Sequence, residues 1–115
     1  MENLFHLKDL GYLNLALNNI KKIEGLQNCE FLYKLDLTVN FIDVDSLEES
    51  ITHLASRACL RDLYMMGNPC QGSWEKFSLY VIARLPQLRT LDGVEVTKSM
   101  QIVASQQLPQ LEVNL

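Results

Sequence analysis

The chain lacks any run approaching the ~18 consecutive apolar residues of a membrane-spanning helix, so no membrane segment is expected. Its N-terminus, Met1-Glu2-Asn3, is not a basic leader followed by an apolar core, and no secretion signal is expected either. Cysteine is sparse. Cys29, Cys59 and Cys70 are odd in number and widely spaced, which suits reduced thiols better than a disulfide framework. With no Asn-x-Ser/Thr sequon, the expected location is cytoplasmic. The five glycines are scattered, leaving no Gly-rich phosphate loop and no Gly-x-Ser-x-Gly elbow. Cations are outnumbered, 10 Lys and Arg against 14 Asp and Glu, and a net charge of −4 argues against a nucleic-acid binder that relies on phosphate neutralisation.

What is present is a repeat. At 115 residues the chain has room for one domain. Leu10, Leu13, Leu15, Asn18 and Ile20 recur as Leu32, Leu35, Leu37, Asn40 and Ile42 after 22 residues, and as Leu60, Leu63, Met65, Asn68 and Cys70 after a further 28. This is the leucine-rich repeat pattern. The pairs Leu13/Leu15, Leu35/Leu37 and Leu63/Met65 skip one residue, so they share one face of a short strand and point into a core. A helix would instead space its apolar residues three and four apart.

The Asn that ends each strand carries an amide able to bond backbone groups left open by the bend. Asn18, Asn40 and Asn68 are therefore expected to form a buried structural ladder. The first unit returns through Ile20, Ile23, Leu26 and Cys29 in steps of three, typical of a tight 3₁₀-like crossing with Cys29 packed inside. The second carries six extra residues within Asp45 to Ala58. There Ser46 and Glu49 read as a capping box, with Leu47, Ile51, Leu54 and Ala55 on the inner face of a short outer helix.

Beyond Asn68-Pro69-Cys70, the residues Trp74, Phe77, Tyr80, Val81 and Leu85 predict an amphipathic helix ending near Pro86, followed by one last strand and a turn through Leu91-Asp92-Gly93. A solenoid has to cover its final open face, and this segment, about 69–96, is expected to be a C-terminal cap. Residues 97–115 hold a further helix, Thr97 to Gln107, before Leu108-Pro109, and no function is assigned to them. Leu4 and Leu7 fit the end of a preceding unit, so the chain is expected to begin within a repeat. Its uncapped first edge is a route to oligomers. The predicted fold is α/β, a short right-handed β-α leucine-rich repeat solenoid occupying residues 1–96.

Chemistry has few candidates. His6 and His53 have no partner at metal-ligand spacing, and Asp43, Asp45, Glu48 and Glu49 read as a solvated helix N-terminus; no metal and no cofactor are expected. Cys59 and Cys70 sit at repeat positions that packing explains. No catalytic residue emerges, and the chain is expected not to be an enzyme. A catalytic reading would need a deep pocket around Cys59 or His53.

The positions pointing away from the core on each strand are free of packing duty. The candidate partner-binding residues there are Tyr12, Asn14, Lys34, Asp36, Arg61, Tyr64, Met66 and Arg89. Of these Tyr12, Arg61, Tyr64 and Arg89 are of types enriched at interface hot spots. The expected partners are other proteins, not nucleic acid or membrane.

The wording of the repeats resembles a known family. Tyr12-Leu13-Asn14-Leu15-Ala16-Leu17-Asn18-Asn19-Ile20, Leu35-Asp36-Leu37-Thr38-Val39-Asn40-Phe41-Ile42 and Met66-Gly67-Asn68-Pro69-Cys70, with Leu85-Pro86-Gln87-Leu88 and Leu91-Asp92-Gly93, are similar to the N-terminal repeat domain of the tilB family, axonemal dynein assembly factors of the leucine-rich repeat class. The resemblance runs from about Met1 to Val96. It implies a non-enzymatic cytoplasmic scaffold for preassembly of dynein arms, needed for cilium or flagellum motility, with other assembly factors or chaperone machinery as partners. It also implies further repeats upstream and additional segments downstream, so the chain is expected to be a truncated form. The alternative left open is a generic leucine-rich repeat adaptor, such as a phosphatase-regulatory or splicing-associated protein.

Overall fold

A computed structural model describes residues 9–113. Leu4, His6 and Leu7, and the partial first unit read from them, lie outside the described residues. Three-residue strands β1 (Tyr12–Asn14), β2 (Lys34–Asp36) and β3 (Asp62–Tyr64) pair in parallel with each other, β3 pairs in parallel with the two-residue β4 (Thr90–Leu91), and β5 (Val94–Glu95) closes the sheet antiparallel. The register Leu13↔Leu35↔Leu63↔Leu91 is the repeat spacing made visible. One carbonyl per unit holds the stack. Gly11 O accepts from the N–H groups of Tyr33 and Lys34, Tyr33 O from Arg61 and Asp62, and Arg61 O from Arg89 and Thr90.

The inward residues Leu35, Leu37, Leu63 and Met65 are fully buried, beneath Leu32, Ile42 and Leu60. Truncating such a leucine to alanine costs roughly 2–5 kcal/mol. Leu13 and Leu15 are only half-buried, because β1 is the sheet's edge strand among the described residues. The first unit returns without a helix. Its turns are tied three residues apart, Cys29 N–H to Leu26 O and Leu32 N–H to Cys29 O, with Ile23, Leu26 and Cys29 buried.

The second unit returns through α1 (Val44–Ala55), but the expected capping box is not its cap. Asp43 is the N-cap, its Oδ1 accepting from Val44 N–H at 2.7 Å, while Ser46 Oγ donates to Lys21 O at 2.7 Å and staples the helix to the first unit. The inner face is Leu47, Ser50, Ile51 and Leu54. Ala55 is exposed: the last helical turn rotates it outward, and Leu54 takes the core position. Ser50 was not expected inside. Its buried hydroxyl accepts from Ile23 N–H at 2.9 Å, satisfying a backbone group that the helix-less first unit leaves open.

The helix predicted from Trp74 is the shorter α3 (Phe77–Arg84), and a separate five-residue helix, α2 (Pro69–Ser73), precedes it. Trp74 separates them with an extended backbone, its ring tilted 50° against that of Tyr80 with centroids 5.5 Å apart. Asp92 and Gly93 both have positive φ, 52° and 82°, and make the two-residue turn that folds β5 back on β4. That strand was not anticipated. The final helix, α4 (Lys98–Val113), starts close to where it was expected and runs on through Pro109, because burial of Ala104 and Leu111 outweighs the lost helical hydrogen bond at proline.

Candidate protein-recognition face

Two asparagines tie successive units together. Asn40 Nδ2 donates to Leu15 O at 2.9 Å and Leu37 O at 3.0 Å, and its Oδ1 accepts from Ile20 N–H at 3.1 Å. Asn68 repeats this one unit on, donating to Leu37 O and Met65 O at 2.8 and 2.9 Å and accepting from Ile42 N–H at 3.1 Å. Each buried amide thus ties the end of its own strand to the one before it. Asn18 donates to Leu15 O and Ala16 O but is exposed, contrary to the expected three-rung ladder, since among the described residues it bonds no earlier unit.

Immediately before each asparagine the chain is left-handed: Leu17 at φ 60°, Val39 at φ 56° and Gly67 at φ 82°. Only the third of these positions carries the residue type that favours such a backbone. Leu17 and Val39 are also exposed, by 78% and 45%.

On the solvent side of the sheet, Lys34 lies between two rings. Its Nζ is 5.0 Å from the ring centre of Tyr12 and 5.5 Å from that of Tyr64, so three predicted residues from successive strands come together as a cation–π cluster. Asn14 and Asp36 do more local work. Asn14 Oδ1 accepts from Ala16 N–H at 3.0 Å, and Asp36 Oδ1 accepts from Thr38 N–H at 2.9 Å and its hydroxyl at 2.6 Å. They bind the turn leaving each strand.

Tyr64 occupies the same register position and cannot do this. Asp92 does it instead from the next rung, its Oδ1 accepting from Met65 N–H at 2.6 Å and Met66 N–H at 2.9 Å. Burial pushes the Asp92 carboxyl above its usual range, against the pull of those two N–H groups. Sequence reasoning gave Asp92 a place in the last turn but not this role; the missed signal was the absence of an Asn or Asp at position 64.

Arg61 and Arg89 stand at the edge where the strands begin and line one groove of about 710 Å³ with Glu95 and Gln101. Arg61 Nη1 donates to Ala58 O and Leu60 O at 2.8 and 2.9 Å. Met66 lies at the opposite edge, 51% exposed, beside Val39.

The candidates for chemistry disperse. Cys59 is exposed, not packed: it lies in the turn that Leu60 N–H closes onto Arg57 O, and Leu60 takes the core. Cys70 is buried, its thiol pushed up to about 12 chiefly by burial. His53 Nε2 accepts from Leu26 N–H at 2.9 Å, and burial, then the Arg57 charge, hold its pKa below the usual histidine value. Among the described residues no three His, Cys, Asp or Glu side chains group as a metal site, and no helix is long and apolar enough to cross a membrane.

No family model matches the chain. Curated relatives do. The chain is 46% identical over 112 residues to dynein axonemal assembly factor 11 of Mus musculus, 47% over 114 residues to that of Trypanosoma brucei brucei, and 47% over 108 residues to protein tilB of Drosophila melanogaster. These alignments cover 97%, 98% and 94% of the chain but 23%, 28% and 26% of the relatives. The chain therefore spans about a quarter of their length. Among solved structures, a chain of the Drosophila melanogaster SNF/U2A' complex superposes with a TM-score of 0.85 at 26% identity, covering all of this chain and 68% of that one. A chain of the Chaetomium Mex67:Mtr2 structure superposes at 0.63 and 20% identity over 93% of this chain and 80% of its own length. The parallel ladder and its leucine register are those of a leucine-rich repeat, and over nearly its whole length the chain is similar to part of the proteins named dynein axonemal assembly factor 11 and tilB.

Proposed function

We propose that the chain is a non-enzymatic protein-binding scaffold acting in cytoplasmic preassembly of axonemal dynein arms, with the solvent side of its strands as the recognition face. The observation that carries this is the Tyr12–Lys34–Tyr64 cluster, three outward residues from three successive units converging on one exposed patch. Aromatic and basic anchors of this kind dominate interface energies. Identity of 46–48% to assembly factors across several organisms supports the dynein-arm setting. The SNF/U2A' likeness favours a splicing-type adaptor as second reading, at the lower identity of 26%.

Residues 69–96 act in this reading as the C-terminal cap, with 97–115 as its extension. What supports it is that Phe77, Tyr80, Val81, Leu85 and Leu88 are buried at the end of the ladder, and that β5 ends the parallel pairing.

The test is affinity capture with Arg61→Glu/Tyr64→Ala against wild type, from ciliated and non-ciliated cells. Expected is enrichment of dynein-arm components or their assembly factors from ciliated cells alone, lost in the variant while its melting curve is retained. The same proteins captured from both cell types, or unchanged capture by the variant, would refute it.

A further inference from the structure

The recognition face carries three cations, Lys34, Arg61 and Arg89. Among the described residues no carboxylate lies within 4.0 Å of Lys34, Arg61 or Arg89, although four acids share their surroundings. Those acids are engaged elsewhere. Asp36 accepts from Thr38, Asp62 from the Thr90 hydroxyl and Asp92 from Met65 and Met66 N–H, while Glu95 lines the groove and reaches neither guanidinium.

Arg61 and Arg89 belong to neighbouring units whose backbones are directly bonded, Arg89 N–H to Arg61 O at 2.8 Å. Two like charges carried on adjacent strand starts repel, and a carboxylate placed between them offsets that repulsion while accepting from their free donors. Arg61 spends only Nη1 on carbonyls, and Arg89 is exposed with no hydrogen bond from its side chain among the described residues.

The opposite edge has the opposite character. Leu17, Val39 and Met66 are exposed there on successive units, joined through Leu17 N–H to Thr38 O and Val39 N–H to Met66 O. The face therefore grades from basic to apolar across the strands. From Arg61 to Met66, along one strand, the face spans at most about 17 Å at roughly 3.3 Å per residue, a width that the side chains of one peptide segment have to bridge.

We infer that this face takes an acidic segment of a partner protein, with carboxylates against Arg61 and Arg89 and aliphatic or aromatic side chains against Leu17, Val39 and Met66. This rests on the protein-binding reading above and names the chemistry of the partner. A polyphosphate chain fits less well, because it has no apolar groups to set against the exposed Leu17, Val39 and Met66.

The test selects short random displayed peptides on the whole chain, then measures the winners against Arg89→Glu, Arg61→Gln and Tyr64→Ala, each checked by thermal melting. Expected are winners rich in Asp or Glu on one side and apolar on the other, weakened about 10- to 100-fold by Arg89→Glu and restored when their acids become lysine. Neutral or basic winners, no enriched winner, equal affinity for Arg89→Glu, or displacement of the winners by a mixed-sequence single-stranded RNA would each overturn the inference. Winners lost with Tyr64→Ala but indifferent to Arg89→Glu and Arg61→Gln sink the acidic partner and leave the recognition face standing. Indifference to all three variants sinks both.

Discussion

Replacing Asn40 by alanine removes three hydrogen bonds at a site only 3% exposed, and the structure says how unequal they are. Leu15 O keeps a donor in Asn18 Nδ2, and Leu37 O keeps one in Asn68 Nδ2. Ile20 N–H is left with nothing, since Asn40 Oδ1 is the acceptor the structure provides. One stranded, partly buried donor costs about 1–3 kcal/mol, and two half-satisfied carbonyls and a small cavity bring the expected total to about 2–4 kcal/mol. For a chain of this size that corresponds to a melting temperature lower by roughly 8–16 °C, read by far-ultraviolet circular dichroism and checked by urea titration. Asn18→Ala is the internal control. Exposed and bonded only to carbonyls of its own unit, Asn18 should cost less than about 1 kcal/mol. If Asn40→Ala lies within about 0.5 kcal/mol of wild type, or the two variants cost the same, the shared-carbonyl argument is wrong.

Other expectations follow from single contacts. A Cβ at Gly67 would meet Val39 Cγ2 at 2.9 Å with φ at +82°, so Gly67→Ala should destabilise by about 1–3 kcal/mol in urea titration. Val39→Asn, at φ 56° with a half-exposed side chain, should instead be neutral or stabilising by about 0.5–1 kcal/mol, because a β-branched residue tolerates the left-handed region poorly. The lowered His53 pKa means that the folded state favours the neutral ring, whose Nε2 accepts from Leu26 N–H. Its contribution is complete above the ordinary histidine value of about 6.5 and is lost as pH falls from there through the lower folded value, so the urea midpoint should drop in that window and the drop should vanish in His53→Gln. With a thiol-reactive chromophore, Cys59 alone should react in the native protein; Cys29 and Cys70 should follow only on unfolding, and fast reaction of all three would contradict their burial.

The spacing of 22 and 28 residues, the skipped-residue leucine pairs and the asparagine after each pair were enough to place β1, β2, β3 and most of the core, because strand alternation and burial leave few other uses for such a pattern. The outer helix and the outward positions followed from the same register. What sequence could not supply was the context between units. Whether an amide is buried depends on bonds to the units beside it, so Asn18 and Asn40, identical by motif, differ in exposure. Whether Asp92 faces solvent or caps a turn depends on Tyr64, 28 positions earlier, having no acceptor to offer. The convergence of Lys34 on Tyr12 and Tyr64, the exposure of Leu17 and Val39 in left-handed backbone, and the passage of α4 through Pro109 were decided by tertiary contacts alone. Periodicity records which side of an element is buried; it carries no record of what that side, or its opposite, will meet across the stack.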